Sequence, residues 1–277
     1  MSSTPIPYKP WAPVHGLTPL TPAEAVELAE TLPVTPYFVI PYGGLRWGVD
    51  RAFVSGPRSH PAAVVVQHRG TPDEPEYWGN DPEAGWAMLS RIPGWSCVNG
   101  STEDITRISE ILAREIPGPV RWLGDMFYTL EGPPRPHSDP LVRLLGVEDI
   151  PLLPRAENPS WAGGFRTYEE LLAHGAIAAA IVEGRIVATA VCTAANARYA
   201  DIGVHTLEPY RRRGFSSAAV CLVAKELQAR GLVPIWSTGS HNLASQHVAS
   251  RVGFRPYGRG EYLVFDGLKE AGGYRPV

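Results

Sequence analysis

The sequence predicts an α/β fold, strands alternating with helices, built as two similar halves. Three observations predict it. Strand-like and helix-like segments alternate along the 277 residues, the pattern that builds sheets with helices packed on their faces. Two short patterns recur in the same order. "PGWSCVNGS" from Pro93 matches "VPIWSTGS" from Val233, and "VRWLGDMFYTLEG" from Val120 matches "FRPYGRGEYLVFDG" from Phe254, with a helix between the patterns in each copy. Lastly, "EPYRRRGFSSAAVCLVAKELQARG", Glu208 to Gly231, carries a strand through a basic glycine turn into an apolar helix.

Each element has a local cause. The first residues form a Pro-rich arm, expected to be extended. "TPAEAVELAETL" is a helix with Thr21 as N-cap and Pro22 at its first position. "LRWGVDRAFVSG", "PAAVVVQHRG" and "PEYWG" read as strands, "EAGWAMLSRI" as a helix and "GWSCVNG" as a strand. "STEDITRISEILAREI" is an amphipathic helix capped by Ser101 and Asp104. After the strand "RWLGDMFYTLEG", the run "PPRPHSDP" from Pro133 to Pro140 marks a linker. It divides the chain into residues 1–136 and 137–277. The second half restarts with "LVRLLGVEDIPLL", a strand turning into a helix, and "RTYEELLAHG", a helix ending on Gly175. "AIAAAIVEGRIVATAVCTAA" is a hairpin turning at Glu183-Gly184. "RYADIGVHT" is a strand, and a helix runs from Gly214 to Arg230 with Gly231 as its stop. "VPIWSTG" is a strand, "NLASQHVASRVG" a helix and "FRPYGRGEYLVFDG" the closing strand.

Composition bounds the function. Hydrophobic residues are 44% and charged residues 19%, an ordinary globular balance. A formal net charge of −3 argues against a general nucleic-acid binder and weakens an RNA-modifying reading of "YRRRG". Cys97, Cys192 and Cys221 are odd in number and far apart, so neither a disulfide framework nor zinc spacing is expected. The N-terminus lacks a basic start and apolar run, and no stretch is long enough to span a bilayer. The expectation is a cytoplasmic protein with no membrane or nucleic-acid partner. The sequence does not fix its oligomeric state.

Arg211, Arg212 and Arg213 repel one another, and Gly214 is a poor helix former. Such a turn is costly unless it holds something. A helix N-terminus presents free N–H groups and positive dipole, glycine admits an anion to the backbone, and arginines add charge. The unit reads as a pyrophosphate cradle or, alternatively, as a solvated basic turn. No G-x-x-x-x-G-K-[ST] and no G-x-G-x-x-G after a strand is present.

"YRRRGFSS" resembles the R/Q-x-x-G-x-G/A motif of the GNAT acyltransferase superfamily. Arg211 stands at the first position, Gly214 at the fourth, and Ser216 where Gly or Ala is usual. The order of neighbouring elements from Leu141 to Phe265 is similar too, including an asparagine-led helix ending in Gly-Phe, here Asn242 to Gly253-Phe254. The extra N-terminal half resembles that of bacterial two-part GNAT acetyltransferases. The resemblance implies a mixed sheet whose strands "ADIGVHT" and "VPIWSTG" splay apart around the pantetheine arm of acetyl-coenzyme A. It implies pantetheine contacts from the backbone of Val204, His205 and Thr206. It also implies pyrophosphate contacts from the turn, Arg211, Arg212, Arg213, Gly214, Phe215, Ser216 and Ser217, and a contact from Asn242. The activity it implies is acetyl transfer to a small primary amine, with acetyl-coenzyme A as co-substrate and no metal. His241 and His247 lack the helical spacing of a metal pair.

Acyl transfer to an amine needs a route for the amine's proton and tolerance of the thiolate, since free pKa values lie near ~10.4 and ~8.5. The tyrosine acid of many family members is replaced by Ala249. For the base, Asp201, Gly203 and His205 share one strand face. Asp201 and His205 are the catalytic candidates. Their structural alternatives are a hydrogen-bonded strand-start aspartate and a satisfied core histidine. Asp201 is expected to bind or deprotonate the acceptor, with His205 mainly structural. The N-terminal half has no arginine–glycine turn before "EAGWAMLSRI", so it is expected to be a degenerate copy that shapes the acceptor cleft. Trp47, Trp78, Trp86 and Trp122 are expected mostly in the core. The rival to an enzyme is a module that senses acyl-coenzyme A without turnover.

Overall fold

Thr21 opens the first helix, α1 (Pro22–Thr31), with a reciprocal cap: its side chain accepts from the Glu24 N–H, and Glu24 Oε2 accepts from the Thr21 N–H at 2.9 Å. Thr21→Ala is expected to lower stability by about 1 kcal/mol. A shift of the urea midpoint at constant m-value would measure this. The structure, a computed structural model, describes residues 4–6, 8, 11–153 and 163–276. Part of the N-terminal arm therefore lies outside the described residues. The rest is anchored: Pro5 bridges Thr167, and the Ile6 N–H reaches Arg166 O at 2.9 Å.

The N-terminal half continues through α2 (Val39–Arg46), β1 (Arg51–Ser55), β2 (Ala63–Gln67), β3 (Glu76–Gly79), α3 (Pro82–Leu89), β4 (Cys97–Ser101), α4 (Thr102–Glu115) and β5 (Val120–Thr129). The second half runs β6 (Val142–Leu144), α5 (Tyr168–His174), β7 (Ile177–Val182), β8 (Arg185–Ala195), β9 (Tyr199–Thr206), α6 (Phe215–Ala229), β10 (Val233–Gly239), α7 (Leu243–Val252), β11 (Arg255–Phe265) and α8 (Asp266–Glu270). The segment "VEDIPL" expected as a helix is a 3-10 turn, since Pro151 cannot donate to an α-helical ladder.

One expected strand is partly wrong. Leu45 and Arg46 belong to α2, and β1 starts only at Arg51. Pro41, Gly43 and Gly44 hide this helix from propensity. The glycines serve packing: a Cβ on Gly43 would stand 2.7 Å from the Ala194 Cβ, so bare backbone lets α2 lie against β8. Trp122 is also exposed rather than core.

Among the described residues all eleven strands join one sheet in the order β1-β2-β3-β4-β11-β5-β10-β9-β8-β7-β6. The duplication is written into that order. β3 and β4 are parallel, as are β9 and β10. β4 pairs with β11, and β10 pairs with β5, both antiparallel. Each half thus receives the last strand of the other, and β5 and β11 pair along their lengths at the centre. The strands following Trp95 and holding Trp236 are equivalent, as are those holding Trp122 and Tyr257. Both Trp95 and Trp236 are fully buried. The expected linker is not loose: the Arg135 N–H bonds Val252 O at 2.7 Å, and Gln228 Nε2 bonds Gly132 O at 2.8 Å.

Registers fix which side chains share a face. On one face α3 and α4 cover Val65, Tyr77, Val98 and Leu263, while α6 and α7 cover Ala200, Ile202 and Trp236. On the other lie α1, α2 and α5. Asp201 pairs with Ile235, and Ile235 with Thr129, so Asp201, Ser237, Phe127 and Asp125 lie on that second face. Asp125 pairs with Gly260, Tyr262 with Asn99, and Asn99 with Glu76, which carries the face across both halves.

Candidate active site

β9 and β10 stay paired only from Val233–Tyr199 to Ile235–Asp201. Beyond that both strands continue, but they diverge. β9 remains bonded to β8 through Val204, His205 and Thr206, opposite Ala190, Thr189 and Ala188. Its edge toward β10 is open over those residues, an unpaired backbone edge of the kind an amide-bearing chain can join.

The basic turn lies at the end of that edge. Arg212 has φ 64° and Gly214 φ 87°, so two left-handed residues curl the backbone, a conformation that gathers N–H groups around an anion. Arg212 bears this strain without being glycine, and such outliers mark functional sites. A Cβ on Gly214 would meet nothing within 4 Å, so the glycine serves backbone conformation and open access rather than packing. The first intrahelical bond of α6 is Ala218 N–H to Gly214 O, and no side chain caps the helix. The N–H groups of Phe215, Ser216 and Ser217 are therefore free of helical partners. The side chains of Phe215 and Ser217 are buried, which limits them to backbone donation. Thr206 Oγ1 and Ser216 Oγ, 2.7 Å apart, tie the strand to the helix. Arg211, Arg212 and Arg213 make no ion pair with any described residue. Arg211 donates to Thr206 O at 3.4 Å, and Arg213 lies 5.0 Å over the Tyr210 ring. A guanidinium cluster without ion pairs among the described residues, at an uncapped helix start, fits a pyrophosphate.

At the other end, where the strands part, stands Asp201. It is 4% exposed. The Thr193 hydroxyl, turned in by a bulge in β8, donates to its Oδ2. Oδ1 is buried and makes no hydrogen bond of normal geometry with a described residue, although Ser237 lies alongside. Burial pushes the carboxyl up to about 6, against the opposing pull of Thr193 and Ser237. Asp201 borders a cavity of about 280 Å³ between the sheet and α2, which Tyr37, Phe127, Asp125 and Glu76 also line. Burial, then the charges of Asp201, Glu76 and Glu74, push Asp125 up to about 7.

His68 crosses the cavity wall between two carboxylates: Nδ1 is 2.7 Å from Asp50 Oδ2, and Nε2 is 3.2 Å from Glu76 Oε2. Burial alone would lower its pKa, but the Asp50 and Glu76 carboxylates override it and raise it to about 10. A folded-state pKa above the unfolded value gives stability that is full below ~6.5 and is lost as pH rises through about 10. His68→Gln is expected to flatten the fall in stability of the native protein between neutral pH and pH 10, read from urea unfolding across that range.

Residues 153–265 match the family model described as GNAT acetyltransferase. That segment of the second half is similar to a GNAT acetyltransferase domain. Solved structures share the fold over nearly the whole chain. A GCN5-related N-acetyltransferase-like protein from Streptococcus suis is 17% identical, with a TM-score of 0.62 over 87% of this chain and 98% of that one. A GNAT-family acetyltransferase from Colwellia psychrerythraea is 13% identical, with a TM-score of 0.56 over 90% and 99%. A tandem GNAT protein from the clavulanic acid biosynthesis pathway is 13% identical, with a TM-score of 0.51 over 90% and 97%. No curated protein matches the chain.

Within this segment the predicted residues separate. Val204, His205, Thr206 and the turn from Arg211 to Ser217 follow one another along the open edge and the helix start. Asp201 faces the cavity. His205 is exposed, four residues on, and does not line that cavity. The Asn242 Oδ1 accepts from the Ser245 N–H at 3.2 Å, so this residue is the N-cap of α7. Ala249 is fully buried in the cluster that holds Val220, Val252 and Phe254. Asp125, Glu74, Glu76 and His68 were not singled out from sequence. Asp125 and Glu76 are signalled only as charges on strands, and His68 and Glu74 lie in the connection between β2 and β3, which carries no signal. Among the described residues no group of three or more His, Cys, Asp and Glu is arranged to hold a metal, and no helix is long and apolar enough to cross a membrane.

Proposed function

We propose that the protein is an N-acetyltransferase that moves the acetyl group of acetyl-coenzyme A to a primary amine. The observation that carries this reading is the parting of β9 and β10 at a buried aspartate, with the arginine–glycine turn at one end of the open edge and a cavity at the other. On this reading the N–H groups of Phe215 to Ser217 and the three arginines hold the pyrophosphate. The edge of Val204 to Thr206 pairs with the pantetheine amides, and the thioester meets the cavity beside Asp201. The amine nitrogen forms a bond to the carbonyl carbon as the C–S bond breaks. Asp201 takes the nitrogen's proton at Oδ1, directly or through one water, and passes it to solvent. The thiolate leaves with the bond electrons and is protonated from solvent. No tyrosine acid is needed, because a thiol of pKa ~8.5 is a good leaving group near neutral pH.

The division near residue 136 then separates two copies by descent, of which only the second binds coenzyme. Two features support loss of the first site. Asp81 caps α3 by accepting from the Ala84 N–H, and Glu83 follows it, so the helix start repels an anion. A Cβ on Gly100 would also lie 2.4 Å from Tyr77 O, so the β3–β4 fork is closed. The buried Ala249 favours one rival, a sensor that binds acyl-coenzyme A without turnover. Thermal shift with acetyl-, propionyl- and longer acyl-coenzyme A, followed by thiol release with an amine panel, tests the reading. Stabilisation with turnover supports it. Stabilisation without turnover favours the sensor.

A further inference from the structure

The cavity is acidic. Among the described residues seven of its lining side chains are carboxylates, and the one basic lining group, His68, is already held between Asp50 and Glu76. Asp125 and Glu74 make no side-chain hydrogen bond or ion pair with any described residue, and Asp201 keeps one buried oxygen, Oδ1, without a hydrogen bond of normal geometry, Ser237 lying alongside. Burying unpaired carboxylates costs stability, and the raised values at Asp125, Asp201 and Glu74 reflect that cost. A partly desolvated negative pocket has a chemical complement, a cation.

The carboxylates are also spread out. Asp201 aligns with Thr129 through Ile235, and Asp125 lies four residues along β5 from Thr129. That is about 13 Å along the sheet and two strand spacings, roughly 10 Å, across it. Both side chains turn into the same cavity, so they offer two separate places for positive charge. Between them, Tyr37 and Phe127 present rings 4.7 Å apart at their centroids, a wall suited to a methylene chain and to ammonium groups.

We propose that the acceptor is a flexible aliphatic di- or polyamine, its reacting amine at Asp201 and a second ammonium held by Asp125 and Glu74. This rests on the acetyl-transfer reading above.

Three eight-carbon amines, long enough for that gap, test the proposal with the full-length protein: 1,8-diaminooctane ends in an ammonium, octylamine in a methyl group and 8-aminooctanoate in a carboxylate. Thiol release from acetyl-coenzyme A should give the diamine a kcat/KM at least tenfold above octylamine, with 8-aminooctanoate lowest. Asp125→Asn should collapse the diamine's advantage, mainly through KM. Calorimetric binding of the same amines without acetyl-coenzyme A should keep the order. Because that titration needs no turnover, it separates failure of this proposal from failure of the acetyl-transfer reading. Equal values for the diamine and octylamine, preference for 8-aminooctanoate, or no binding of any amine would overturn the proposal. The wild-type comparison stands even if Asp125→Asn does not fold.

Discussion

Gly214→Glu is expected to weaken acetyl-coenzyme A binding at least tenfold, about 1.4 kcal/mol. The glutamate would place a carboxylate where two left-handed residues and the free N–H groups of α6 converge. It would also force a side chain onto φ 87°, a conformation that favours glycine. Open space around Gly214 means the substitution meets no core atom, so the variant should fold. Calorimetric titration with acetyl-coenzyme A measures the loss. Unchanged affinity in a folded variant would remove the pyrophosphate assignment.

Asp201→Asn should lower kcat/KM for the best amine about a hundredfold, the lower range for loss of a general base. Affinity for acetyl-coenzyme A should stay nearly constant, since Asp201 lies at the far end of the open edge from the turn. The pH profile carries the finer test. With its pKa raised to about 6, Asp201 is protonated and inactive as a base at pH 5 and ionised at pH 7. The native rate should therefore rise through about pH 6 and level off, and the asparagine variant should lose that limb. His205→Gln should cost less, because His205 is exposed and does not line the cavity. A larger loss at His205 than at Asp201 would reverse the assignment.

Features set by local chemistry were legible in the sequence. Thr21 with Pro22, Ser101 with Asp104, the Glu183-Gly184 turn and the strand–arginine–glycine–helix unit each carry their cause within a few residues, and the structure places all of them as expected. Strand alternation also put Asp201 and His205 on one face, though not their unequal burial. What stayed hidden depends on partners far along the chain. Nothing in "VRWLGDMFYTLEG" says that it will lie between β10 and β11, because an antiparallel strand paired on both edges carries no mark of its neighbours. The exchange of β5 and β11 sets Asp125 two strands from Asp201, and the same face runs on to Glu76. The acidic cavity arises from that arrangement and from α2, whose glycines disguise it as loop or strand.

The most direct test is a crystal structure with acetyl-coenzyme A bound. The account predicts its pyrophosphate on the N–H groups of Phe215 to Ser217. It predicts pantetheine along Val204 to Thr206, and a thioester carbon within about 6 Å of the Asp201 carboxylate, the reach of one water. A coenzyme seated at the β3–β4 fork, or one whose thioester points away from Asp201 and the acidic cavity, would contradict it.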